Sequence, residues 1–411
     1  MCVSKTAARR AGDGLLLLGI LLIAAALRAP VTGLPPMLGM IRADTALSTA
    51  AAGALTTLPL LTFGILAPFS ALLGREYGLE RTLFGALLAI LAGVALRSSG
   101  AIWALYAGTF AIGLGIAVGN VLIPSLLKRD FPKELPSMTS AYALTMGLGS
   151  ALASVMAVPL ASAWGWRPAL AALAVFPLAA AIAWHAQLGK HSAPARGTAK
   201  PPHGGPVWRS ALAWQVTFYL GLNSTIYYVA VGWLPTILAD DGITTSAAGS
   251  LHGLMQLVAA GAAPVMWILM KRASLHRPLA IASGLVSAVA LAGLLALPRL
   301  APLWAALFGF GTGAGIILGL SFVGLRAVDT AQAASLSGMA QCAGYLMAAI
   351  GPVAVGALHD ASGAWNAPII VCTVLALAMA AMGSLASRPL HIGRLQAVAA
   401  AGERTTQPTP R

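Results

Sequence analysis

Runs of roughly 20 apolar residues recur from one end of this 411-residue chain to the other. At about 1.5 Å per residue, each is long enough to cross the hydrocarbon layer of a bilayer as a helix. No feature constrains the fold more. A chain in lipid must satisfy its backbone N–H and C=O groups internally, and only helices and closed barrels do so. The lengths are helical, so the chain reads as an all-α membrane protein. Only 9% of its residues are charged, against about a quarter in soluble domains. Twelve spans are expected, near residues 14–38, 50–73, 82–97, 101–127, 137–160, 167–188, 212–237, 246–270, 278–297, 302–325, 334–357 and 366–386.

The net charge of +14 invites a nucleic-acid reading, but the placement of the charges argues against one. With the N-terminus inside, 20 of the 25 Lys and Arg residues fall on the cytoplasmic side. Only Arg42, Arg97, Arg167 and Arg299 fall outside, and Arg28 is left within a span. That asymmetry is the positive-inside rule, and it places both termini in the cytoplasm. Lys5, Arg9 and Arg10 before an apolar stretch mimic a secretory signal. With eleven spans behind it, this stretch reads as an uncleaved first helix. Cys2, Cys342 and Cys372 form no metal-binding or disulfide pattern, and neither cofactor nor metal is expected.

The chain is written twice at an offset near 200. Gly113, Gly115 and Gly119 match Gly313, Gly315 and Gly319; Leu34-Pro35 matches Leu234-Pro235. Ala161-Ser162 and Pro168 match Ala361-Ser362 and Pro368, with a Trp between in each copy. Ala51-Ala52-Gly53 matches Ala247-Ala248-Gly249 at offset 196. Six spans per copy give both copies the same orientation, hence a parallel repeat of two six-helix bundles. The expected division is 1–188 for the first bundle, 189–209 for a Pro- and Gly-rich cytoplasmic linker, 210–390 for the second bundle and 391–411 for a tail. The glycines suit close helix packing or cavity lining. Pro30, Pro35 and Pro36 are expected to interrupt the first helix, and Pro235 the seventh.

Arg28 lies 13 residues beyond Leu15, roughly 20 Å into the membrane. An arginine at that depth costs about 2.5–3.5 kcal/mol on insertion scales. None of the eleven acidic residues lies deep in a span, so no carboxylate partner is evident. Substrate binding, a carbonyl- or water-satisfied structural role and snorkelling are the alternatives. The repeat sets Arg28 against Tyr228. Ser224, Tyr228 and Pro235 share one helical face, with Asn223 and Tyr227 beside it; Gln341 and Tyr345 form an i, i+4 pair, and Asn120 is a lone amide. Each is a candidate for lining a solute site or for interhelical bonding. His252, well inside the eighth span, is a candidate proton site or a satisfied interhelical histidine.

The stretches "GNVLIPSLLKRDFP" (119–132), "AWQVTFYLGLNSTIYYVAVGWLPTIL" (213–238), "SLSGMAQCAGYLMAAIGP" (335–352) and "ALRAPVTGLPP" (26–36) resemble the cyanate/2-nitroimidazole transporter family of the major facilitator superfamily. The likeness covers nearly the whole chain. It differs at Ala26, where the family carries an amide, at Asn223-Ser224, where Gln-Ser is usual, and in the loop "GREYGLERT". That loop keeps Gly78 and Arg81 but has Arg75 in place of an Asp. The resemblance implies a major facilitator carrier in the bacterial inner membrane. Its partners would be a small cyanate-like or nitroimidazole-like solute and membrane lipid. A proton is a candidate coupling ion, and the chain is expected to act as a monomer. A drug exporter of the same fold and a transport-inactive sensor are the rival readings. An intramembrane enzyme lacks the nucleophile, metal cluster or carboxylate pair it would need.

Overall fold

The computed structural model describes residues 2–131, 134–189, 207–328 and 330–392. Regular structure among them is entirely helical. Among the described residues, eleven helices are long and apolar enough to cross a membrane, the first as Gly14–Thr45 and the sixth as Trp166–His185. The others are Thr49–Tyr77, Leu79–Arg97, Ile102–Asp130 and Leu135–Trp164 in the first half. In the second they are Thr245–Leu269, His276–Ala296, Ala301–Arg326, Thr330–Ser362 and Asn366–Ala386. The remaining expected span, the seventh, is the 30-residue helix Ala211–Asp240. Asn223, Ser224 and four Thr and Tyr side chains around them make it more polar than its neighbours. It tolerates them because most of it, from Leu212 to Leu238, is buried in protein rather than set against lipid. The expected linker lies largely outside the described residues, and so does most of the tail.

The first span is broken. Helix Cys2–Ala26 ends just before Arg28, and short helical turns follow at Ala29–Thr32, Pro35–Met37 and Leu38–Thr45. Prolines 30, 35 and 36 lack the N–H that each position would give to the carbonyl four residues back. The seventh helix departs from expectation, since it runs unbroken through Pro235. A single proline frees one carbonyl, whereas three within seven residues unwind the turn.

The repeat is visible bond by bond. Ser48 caps the second helix by accepting the Ala51 N–H at 3.2 Å, and Thr244 caps the eighth by accepting the Ala247 N–H at 3.3 Å. Trp166 donates its indole N–H to Asp44 at 3.0 Å, and Trp365 donates to Asp240 at 2.7 Å. Both tryptophans lie between the matched Ala-Ser and Pro signals. The matched glycines pack: Gly119 lies against Leu27, Gly319 against Leu220, and Gly313 against the backbone of Ala259. Arg97, expected on the outer side, stands at its helix end buried at 1% exposure, and its Nε and one terminal nitrogen have no partner among the described residues.

The bundles meet mainly where the second helix packs on the eleventh and the fifth on the eighth, with the Pro35–Met37 turn of the first span against the seventh. These pairs make close backbone contacts at the end opposite the 189–207 connection. A Cβ on Gly53 would meet the Pro352 carbonyl at 2.8 Å, one on Gly356 the Thr49 carbonyl at 3.0 Å, and one on Gly249 the Ser154 carbonyl at 3.0 Å. There too the Ala50 N–H donates to Asp360 across the interface at 3.1 Å. The molecule is therefore shut at that far end.

Candidate solute site

The break in the first span sets Arg28 between the bundles. Its Nη1 donates to the Tyr228 hydroxyl at 3.2 Å, and the guanidinium carbon stands 5.9 Å from the centre of that ring. Residues matched across the repeat thus touch one another. The Tyr227 ring meets Tyr228 edge-on at 5.2 Å, and Tyr345 meets Phe63 edge-on at 5.5 Å. Tyr227, Tyr228 and Tyr345 all lie close enough to Arg28 to feel its charge, as does Tyr142. No carboxylate stands among these electrostatic neighbours. Four phenols lie within electrostatic reach of this one cation.

The hydroxyls of Tyr142 and Tyr345 make no hydrogen bond among the described residues, yet they are not among the walled-in polar atoms. They are open donors and acceptors beside a cation. A solute oxyanion can take the Arg28 fork while its body lies against aromatic faces and edges.

A second polar chain leaves the site toward the far end. Thr32 Oγ1 donates to the Arg28 carbonyl at 3.1 Å. Pro36 leaves the Thr32 carbonyl without its helical donor, and Ser154 Oγ of the fifth helix sits 3.1 Å from it. Ser154 Oγ is also 3.0 Å from His252 Nδ1 on the eighth helix. His252 Nε2 lies 3.4 Å from Gln256 Nε2, and Gln256 Oε1 accepts the Tyr227 hydroxyl. The path returns to Tyr228 through the Tyr227 ring. It crosses between bundles at Ser154–His252 and again at Arg28–Tyr228.

The other expected site residues make no hydrogen bond to Arg28 or to the phenols around it among the described residues. Asn223 is buried within its own bundle, with Oδ1 unpaired beside Gly315. Ser224 and Asn120 are half-buried and make no hydrogen bond among the described residues. Gln341 is exposed one turn nearer the linker end than Tyr345, and it donates to Ser337 at 3.0 Å. In the loop after the second helix, Gly78 takes a positive φ of 87° and Arg81 is exposed. The Arg75 side chain lies outside the described residues. The carboxylate there, Glu80, accepts from Arg129 at 2.6 Å.

Gln256, Tyr142, Phe63, Thr32 and Ser154 are absent from the sequence-based candidates. Gln256 carried a signal, because it stands at i+4 from His252 on an otherwise apolar face. Ser154 carried none, since its role depends on a carbonyl freed by a proline of another helix.

Residues 16–352 match the Major Facilitator Superfamily. The chain is 48% identical over 378 residues to the 2-nitroimidazole transporter of Escherichia coli (strain K12), covering 92% of this chain and 96% of that one. It is 29% identical over 351 residues to the cyanate transport protein CynX of the same strain, covering 85% and 91%. Among solved structures it resembles a bacterial homologue of the human lysosomal transporter Spinster, crystallised inward-facing and unoccupied. The TM-score is 0.75 at 14% identity, over 91% of this chain and 96% of that chain.

Proposed function

This chain belongs to the Major Facilitator Superfamily, within its cyanate/2-nitroimidazole transporter branch, and from that premise we propose that it carries a small planar solute with an oxyanion or nitro group by alternating access. Transport of small solutes is the work of the family, and the chain is not an enzyme. The observation that carries the finer reading is Arg28 set among Tyr142, Tyr228 and Tyr345, with two phenols lacking partners. A guanidinium supplies charge and a planar fork of donors, and edge-on rings favour a flat aromatic body. A linear triatomic anion would use the fork and leave the aromatic walls unfilled. The ring-bearing member of the solute pair suits this site better than cyanate does.

The rest of the cycle follows from the contacts. The far end is shut, and Gln341 lies exposed toward the linker end. The positive-inside count makes that end cytoplasmic, in a bacterial inner membrane. Rocking of the bundles about Arg28 would part Gly53 from Pro352 and Ser154 from His252, opening the far side. The test is binding and counterflow with purified protein in liposomes, using 2-nitroimidazole, benzoate and cyanate. We expect the two ring solutes to bind and exchange, with cyanate at least tenfold weaker. Exchange of cyanate alone would overturn the ring-solute reading.

A further inference from the structure

We propose that His252 is the proton-binding site of this carrier, and that Gln256 relays its protonation to the solute site. The inference rests on the carrier reading above. Its geometric basis is the directed hydrogen-bond chain through a buried histidine that bridges the two bundles.

Both ends of that chain fix the same histidine tautomer. Gln256 Oε1 accepts from Tyr227, so its NH₂ faces His252 Nε2, which must be an acceptor. Ser154 Oγ is within bonding distance of the Thr32 and Ser150 carbonyls, at 3.1 and 2.9 Å. Its one proton goes to a carbonyl, so it accepts from His252 Nδ1–H. The neutral Nδ1–H imidazole is fully satisfied. A proton arriving on Nε2 sets donor against donor. The amide of Gln256 then turns over, so that Oε1 accepts the new Nε2–H and NH₂ faces the Tyr227 oxygen. Tyr227 becomes an acceptor toward Gln256, and its own O–H is free to donate into the solute site. One bound proton thus reverses the polarity of a hydroxyl beside Arg28.

Charge gives the coupling its sign. The fifth, seventh and tenth helices and the Pro35–Met37 turn pack against the eighth helix, which carries His252. At membrane depth they and the adjoining first span carry Arg28 and the phenols Tyr142, Tyr219, Tyr227 and Tyr228. Asp240 and Arg326 stand at helix ends, and the fifth and tenth helices contain no acidic residue. With Arg28 fixed as a cation, a second positive charge at His252 is disfavoured until an anion lies on Arg28. Anion and proton therefore favour each other's binding, and by linkage the effect is reciprocal. Leaving the far-shut state breaks the Ser154–His252 bond, which would open the histidine to the other side.

The test uses the full-length protein in weakly buffered detergent, with benzoate as the anionic probe. Wild type should take up close to one proton per benzoate bound, and its apparent affinity should fall about tenfold per pH unit on the alkaline side. His252→Asn keeps a donor toward Ser154 but accepts no proton, so it should bind benzoate without proton uptake and with a flat pH profile. Gln256→Leu, which cuts the relay but leaves the charges, should make the profile shallower and lower the proton uptake per benzoate, and it serves if the histidine variant does not fold. Benzoate binding to wild type without proton uptake would overturn the proposal. So would proton uptake that survives undiminished in both variants. Failure of wild type to bind either benzoate or 2-nitroimidazole would sink the carrier reading first, and this proposal with it.

Discussion

The two halves of the molecule repeat the same scaffold and differ in what they bring to the middle. Asp44 holds Trp166 as Asp240 holds Trp365, and Ser48 caps its helix as Thr244 caps the matching one. The glycines of the fourth and tenth helices recur in register and pack against neighbours in both copies. At the centre the copies part. Position 28 of the first half is an arginine at a helix break, while position 228 of the second is a tyrosine in an unbroken helix. The first half supplies the charge and the second most of the rings and the only imidazole of the polar chain. These scaffold contacts are kept in both copies, while the groups brought to the face between the bundles differ.

That contrast can be broken or sharpened by substitution. The largest effect is expected for Arg28→Gln. It removes charge-assisted hydrogen bonds of about 1.5–3 kcal/mol, so 2-nitroimidazole binding measured by calorimetry should weaken roughly 10- to 100-fold. Wild-type thermal stability should be retained. Next is Gly53→Val, whose side chain would strike the Pro352 carbonyl. Overpacking of about 1–3 kcal/mol should bias the carrier away from the far-shut state. A cysteine placed on the far side of the site would then react faster with an impermeant thiol reagent. Trp166→Phe and Trp365→Phe each remove one indole bond to a carboxylate, worth about 1–2 kcal/mol. They should lower the unfolding midpoint by similar amounts in the two halves; a large inequality would break the scaffold equivalence. The smallest effect is expected for Gln341→Ala, whose amide is engaged with Ser337 in its own helix. Binding should change by less than about threefold.

Much of this was legible in the sequence, and the exceptions share a cause. Spans and repeat follow from hydropathy and register, which are properties of single segments or of two copies compared. The pairing of Arg28 with Tyr228 was readable because symmetry supplies the long-range contact. Asn223 shows the limit: helical spacing puts it beside the tyrosines, yet the tenth helix has a glycine there and draws it inward. Pro235 predicts a break by its type, but one missing N–H in a well-packed helix does not unwind it. Ser154 matters only because Pro36 frees the Thr32 carbonyl, a consequence that no single helix reveals.

The central claim is that one site is built jointly, with charge from one bundle and rings from the other. A double-mutant cycle on 2-nitroimidazole binding, with Arg28→Gln, Tyr345→Phe and the pair, tests it most directly. Arg28 and Tyr345 share no hydrogen bond with each other, so any coupling between them passes through the solute and the pocket they share. The account predicts a coupling energy of about 0.5–3 kcal/mol. Strict additivity, or binding that neither substitution alters, would contradict it.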